Sequence, residues 1–312
     1  MTVRFYAAEE VHAALSLPAL ADAIAEALTS GAFAPLRHAH ALSTTDSLLL
    51  MPAWSASDGG AIGVKLVTVL PRNRERGFST VHALYVLFDR DSGEPSAVID
   101  GEALTLRRTA AASLLAARYL ARNDVRNVLI VGTGRLAQFM ARAHCTDRDI
   151  DHLFIWGRNT DSAQSLASML REEGLPAEAA ADLEHTVGAS HVVSCATTAA
   201  TPVVHGAWLT PGTHLDLVGA FKRDMREVDD AAVKRSRVYV DTYAGTLAEA
   251  ADIIEPIERG VILREDVLGE LAELVTGAVP GRSDATEVTL FKSVGTAIED
   301  LAAARLLVRS AS

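Results

Sequence analysis

The stretch that decides the fold is residues 127–140, NVLIVGTGRLAQFM. An apolar run, Asn127 to Val131, leads into Gly132-Thr133-Gly134-Arg135-Leu136-Ala137, which fits G-x-G-x-x-A and opens a helical stretch, AQFMARAHC. That order of strand, glycine turn and helix is the dinucleotide fingerprint. Gly132 permits the tight turn, Gly134 lets backbone approach a pyrophosphate, and Ala137 allows close packing of helix on strand. The free amides of the helix start meet the negative charge.

Outward from this stretch, further apolar runs alternate with helical text: HLFIWG, SAQSLASMLREEG, HVVSC, THLDLVG and RVYVD. Continuous apolar strands between helices are what a parallel sheet covered on both faces requires. The next strand chooses between the two nicotinamide cofactors, because an acid at its end would take the ribose hydroxyls of NAD. Gly157, Arg158 and Asn159 stand there instead, and an arginine pairs with a 2′-phosphate through two charge-assisted bonds. NADP(H) is therefore expected, with NAD(H) as the alternative.

Before residue 122 the texture differs. AAEEVHAAL and LPALADAIAEALTSGAF have helical spacing. From about 40 to 100 short β-type runs, SLLLMPAW, AIGVKLVTVLP, TVHALYVLFD and SAVIDGEAL, are divided by the turn signals SDGG, RNRERG and RDSGEP. An antiparallel meander is predicted, followed by a helix over 104–122. The C-terminal stretch 288–310, VTLFKSVGTAIEDLAAARLLVRS, reads as one long helix folding back on the N-terminal part. The fold class is thus α/β with two domains, a length of 312 residues being comfortable for two cores. Residues 1–122 and 285–312 form one domain and 123–284 a doubly wound Rossmann domain.

Composition narrows the function. Hydrophobic residues at 49% and charged ones at 22% describe a globular chain, and a net charge of −11 opposes nucleic-acid backbone. No window has the roughly 18 apolar residues of a membrane span, and MTVRFYAAEEV lacks a targeting pattern. With only Cys145 and Cys195, a cytoplasmic location is expected. The histidines are scattered, so no metal is expected, and neither a G-x-S-x-G elbow nor a P-loop occurs. Hydride transfer remains. Arg37, Lys65 and Arg108 interrupt apolar or tightly packed text. By pattern alone Lys65 and Arg108 fit a solvent-facing residue as well as a functional one. Together the three suit a substrate carboxylate.

In MPAW, GVKLV, DSGEP, GEALTLRRTAAAS, VLIVGTGRLA, GAFKRDMREVDD and TLFKSVGTAIEDLAAA, taken in order, the chain resembles the ornithine cyclodeaminase/mu-crystallin family. The resemblance implies a homodimer, an inserted Rossmann domain, and an N-terminal α/β substrate and dimerisation domain completed by the C-terminal helix. It implies that Arg37, Lys65 and Arg108 hold the substrate carboxylate beside the nicotinamide, and that His82 and Thr109 line the pocket or reach the cofactor phosphates. It places Thr197, Val218 with Gly219, and Ser293 with Gly295 around the nicotinamide and its ribose. Family cyclodeaminases carry an aspartate straight after the glycine of G-D-C-P-G-K-T-E as base, whereas this chain has Gly219-Ala220-Phe221. Asp224 is the one nearby substitute. The expected reaction is NADPH-dependent reduction of a cyclic ketimine carboxylate, 1-pyrroline-2-carboxylate or 1-piperideine-2-carboxylate, with Lys65 handling the proton. The alternatives are an NAD-dependent ornithine cyclodeaminase or alanine-type dehydrogenase, and a non-catalytic NADPH-binding protein.

Overall fold

The computed structural model describes residues 3–56 and 59–311, so the first half of the SDGG turn lies outside the described residues. The chain forms two compact units, Met1–Ala112 with Gly295–Ser312, and Ser113–Val294.

The first unit is built on a six-stranded sheet of β1 (Arg4–Tyr6), β2 (His38–Ala41), β3 (Ser47–Trp54), β4 (Ala61–Val69), β5 (Val81–Asp89) and β6 (Pro95–Asp100), ordered β1-β6-β5-β4-β3-β2. Strands β3 to β6 are the expected antiparallel meander; β2 extends it antiparallel to β3, and β1 adds parallel to β6. Side chains alternate across a pleated strand. Along β4 the odd positions, Lys65 and Val67 among them, are buried and the even ones are not. The buried face lies under the C-terminal helix Ala297–Ser310, which also packs on α2 (Leu17–Thr29), the helix following α1 (Ala8–Ala14). The other face presents Leu50, Val64, Leu66, Leu84 and Val86, with the cross-strand pair Leu66 and Leu84 37% and 44% exposed.

The second unit holds eight strands, β7 (Asn127–Val131), β8 (His152–Trp156), β9 (Ala177–Ala179), β10 (Val192–Cys195), β11 (His214–Leu217), β12 (Ser236–Val240), β13 (Val267–Glu270) and β14 (Val288–Lys292). Their order is β13-β12-β14-β11-β10-β7-β8-β9 and every pairing is parallel. The chain reverses direction across the sheet between β7 and β10, the switch point at which open α/β sheets bind ligands. Leu129, Val131, Val193, Leu215 and Leu290 are fully buried in its core, which is why these strands read as unbroken apolar runs.

Three expectations are corrected. Helix α3 (Gly101–Leu120) is continuous, and the compact units divide within it at 112/113, not at 122. Val288–Lys292 is a strand between β11 and β12, so the second boundary falls at 294/295 instead of 285, and the helix starts only at Ala297. A five-residue apolar run preceding a helix has no period of its own to mark it as a strand. Short β2, β9 and β13 also escaped the reading. Among the described residues no single helix is long and apolar enough to cross a membrane.

Candidate active site

In the first unit three elements converge on one cluster. Lys65 projects from the buried face of β4, and its Nζ lies 2.9 and 2.8 Å from the two carboxylate oxygens of Asp300. Thr105 Oγ1, itself donating to the Gly101 carbonyl, accepts a further bond from Lys65 at 3.2 Å. Arg108, on α3, donates from Nε to Asp300 (3.1 Å) and from Nη1 to Glu299 (2.7 Å). Arg37 donates from Nη2 to the Gly295 carbonyl at 3.1 Å. Gly295, at φ +82°, gives room to Arg108: a Cβ there would stand 2.3 Å from Nη1. Burial lowers the Lys65 ammonium to about 8; Asp300 opposes that fall and Arg108 adds to it.

Lys65, Asp300 and Glu299 are essentially shut off from solvent and Arg108 nearly so. Buried charge is tolerated when paired. Three cations, Arg37, Lys65 and Arg108, share the site with two carboxylates, Glu299 and Asp300. The sequence reading found the cations and missed both acids. The available signal was an adjacent acid pair in the otherwise apolar helix IEDLAAA.

One expected pocket residue stands on the other sheet face. His82 pairs in register with Thr68, an even position of β4, so it lies on the sheet face opposite Lys65 and is exposed. Thr109 is buried on α3, one residue beyond Arg108. Gly295 serves the arginines as described.

In the second unit the fingerprint turn has the expected form. Gly132 has φ +129°, and a Cβ there would meet the Ala196 carbonyl at 2.6 Å. Nothing lies within 4 Å of the position a Gly134 Cβ would take, so backbone is open to a ligand at the N-cap of α4 (Arg135–Cys145). The first-turn amides of a helix have no acceptor within it, and Ala137 is fully buried against the sheet. These features fit a dinucleotide pyrophosphate. Thr133 turns its methyl toward Gly157, where a Cβ would be 2.6 Å away; Arg135 is exposed and Leu136 half-buried. No acid ends β8. Arg158 is exposed, with no partner among the described residues. Asn159 instead caps α5 (Thr160–Glu172), its Oδ1 accepting from Ser162 N at 2.9 Å, so its side-chain oxygen is already committed.

At the C-terminal ends of β10 and β11 the structure brings Thr197 and Gly219 together through Glu227, an acid not singled out by the sequence pattern, while Val218 N donates to the Cys195 carbonyl. Burial pushes the Glu227 carboxyl up to about 7, Lys292 pulling against that rise. Lys292, fully buried on β14, pairs with Asp252 at 2.9 Å. Ser293 donates to Asp241 at 3.2 Å, and the same oxygen accepts from Val294 N. Asp224 is exposed in the turn 222–225 and has no partner among the described residues. Among the described residues no three His, Cys, Asp or Glu side chains group to hold a metal.

A doubly wound unit carrying the dinucleotide fingerprint, joined in one chain to a unit that buries a cluster of cations and acids, defines an oxidoreductase class. The ornithine cyclodeaminase/mu-crystallin family model matches residues 2–312, and the chain belongs to that family. It is 40% identical to a Delta(1)-pyrroline-2-carboxylate reductase of Paracoccus denitrificans over 85% of this chain and 84% of that one. Among solved structures it resembles the Thermococcus litoralis Delta(1)-pyrroline-2-carboxylate reductase in complex with NADH and L-proline (34% identity, TM-score 0.94, 99% and 97% of the two chains). It also resembles an archaeal alanine dehydrogenase dimer with bound NAD (29% identity, TM-score 0.92, 100% and 96%).

Proposed function

We propose that this chain reduces a cyclic ketimine carboxylate, 1-pyrroline-2-carboxylate or its six-membered homologue, to L-proline or L-pipecolate. The observation that carries the reading lies in the loop 219–227. Ala220 and Phe221 follow Gly219, Asp224 is exposed, and the buried Glu227 has its oxygens occupied by four donors. The loop therefore offers no base for oxidising an amine, whereas imine reduction needs none. The reductase relatives act in the same direction by name.

The bound nicotinamide supplies the hydride. The chain's own contribution is to fix the substrate carboxylate with the cations of the cluster, Arg37, Lys65 and Arg108, presenting one face of the C=N bond; such orientation supplies several kcal/mol of a barrier. Lys65, near 8, holds a proton at neutral pH and delivers it to the imine nitrogen as the carbon is reduced. The cofactor is NADPH in preference to NADH, a reading supported by Arg158 and by the absence of an acid at the end of β8. Steady-state NADPH oxidation with 1-pyrroline-2-carboxylate, beside NADH and beside ornithine with NAD, tests it: ammonia release from ornithine would overturn the reading.

The working form is a homodimer. What supports this is the uncovered face of the six-stranded sheet, centred on Leu66 and Leu84, since soluble monomers rarely leave so large an apolar face open. Leu66→Glu with Leu84→Lys would yield a monomer in sedimentation if that face pairs. Free Cys145 and Cys195 suit a cytoplasmic setting.

A further inference from the structure

Glu227 stands between two consecutive loops of the Rossmann sheet. Its Oε1 accepts from Thr197 N (2.7 Å) and Thr197 Oγ1 (2.9 Å), in the loop after β10; its Oε2 accepts from Gly219 N (2.9 Å) and Ala220 N (3.1 Å), in the loop after β11. The loops touch as well, for a Cβ on Gly219 would fall 2.0 Å from the Thr197 carbonyl. The carboxylate is itself held from behind. Asp252 accepts from Glu227 N at 2.8 Å, and Lys292 bridges Asp252 (2.9 Å) and Glu227 (3.9 Å). All three side chains are fully buried. A buried ion triad is a poor source of stability, since apolar replacements of equal volume do as well. Four donors from two loops on one carboxylate are, however, an effective way to hold those loops in a single register.

We infer that Glu227 is a positioning residue: with Lys292 and Asp252 behind it, it clamps the β10 and β11 loops into one rigid floor for the nicotinamide. The inference rests on the reading of those loops as the nicotinamide's surroundings. None of the four bonds to Glu227 comes from the turn after β7, so loosening the clamp frees the ring while leaving the cofactor anchored.

The test is Glu227→Gln, which keeps the shape but points an amide donor at backbone donors. NADPH titration by fluorescence should give full stoichiometry and a Kd within about threefold of the parent. The anisotropy of the bound NADPH emission should fall, turnover should drop about tenfold or more, and the primary deuterium isotope effect from 4-deuterated NADPH should rise as hydride transfer becomes limiting. A merely structural role would lower stoichiometry and rate together without moving anisotropy or isotope effect, and that result overturns the inference. Thr197→Val, losing one donor of four, should shift anisotropy in the same direction by less; it decides the matter if Glu227→Gln fails to bind NADPH, and no shift overturns the clamp. If the parent protein binds NADPH but reduces no ketimine, the functional reading fails while the anisotropy arm still tests the clamp.

Discussion

The glycine turn after β7 and the cation cluster of the first unit both concentrate positive charge, by opposite means. The turn after β7 uses backbone: a glycine at φ +129°, an open Gly134 and helix amides, all within six consecutive residues. The cluster uses full charges drawn from positions 37, 65, 108, 299 and 300, and it arrives largely neutralised by its own acids. Partial charges on a rigid backbone can wait without a ligand. Buried ammonium and guanidinium groups cannot, and Glu299 and Asp300 are what make their burial tolerable.

The sharpest way to break this contrast is at Lys65. Lys65→Met should lower turnover by about two to four orders of magnitude, the range for a lost proton donor, with NADPH affinity by fluorescence titration unchanged; equal loss of both would refute the assignment. The pH profile should agree. The protonated form is the active one, so the reduction rate should hold below neutrality and decline as pH rises through about 8, and an alkaline limb near the ordinary lysine value would place the proton elsewhere.

The two regions also differ in how far the sequence disclosed them. Gly132 to Ala137 could be read directly because each residue's task is set by neighbours in the chain. Lys65 was visible as a charge in an apolar strand, yet its partner Asp300 lies 235 residues away, and no local pattern joins them. His82 lies on the sheet face opposite Lys65, which no local pattern shows because pairing register is set across strands. Glu227 and Asp224 are both acids in one polar loop, and only tertiary burial separates them. The strand β14 was lost to its helix for the corresponding reason, since its identity comes from pairing with β11 and β12.

On the backbone side, Gly132→Val forces a side chain into a conformation that disfavours it and against the Ala196 carbonyl. Strain of about 1–3 kcal/mol should weaken NADPH binding by roughly one to two orders of magnitude, visible in the same titration. The contrast would fail if Gly132→Val bound NADPH normally. Arg158→Ala is expected to act more weakly and selectively. Losing a charge-assisted contact costs about 1.5–3 kcal/mol, so Kd for NADPH should rise roughly tenfold or more while that for NADH stays put. A parallel loss of both would assign Arg158 to the shared part of the cofactor.

The smallest expected effect carries the most information about reaction type. Asp224→Asn removes the one carboxylate of the 219–227 loop that is not engaged by backbone donors. If the chain is a ketimine reductase, nothing in the reaction draws on that exposed turn, and kcat and KM with 1-pyrroline-2-carboxylate should stay within about twofold, as for most surface substitutions. If Asp224 substitutes for the cyclodeaminase aspartate, the parent protein should release ammonia from ornithine and the variant should not. Coupled measurement of NADPH oxidation and ammonia release on both proteins separates the outcomes, because a base is needed to take a proton from an amine before oxidation and has no task when hydride enters a C=N bond that is already formed.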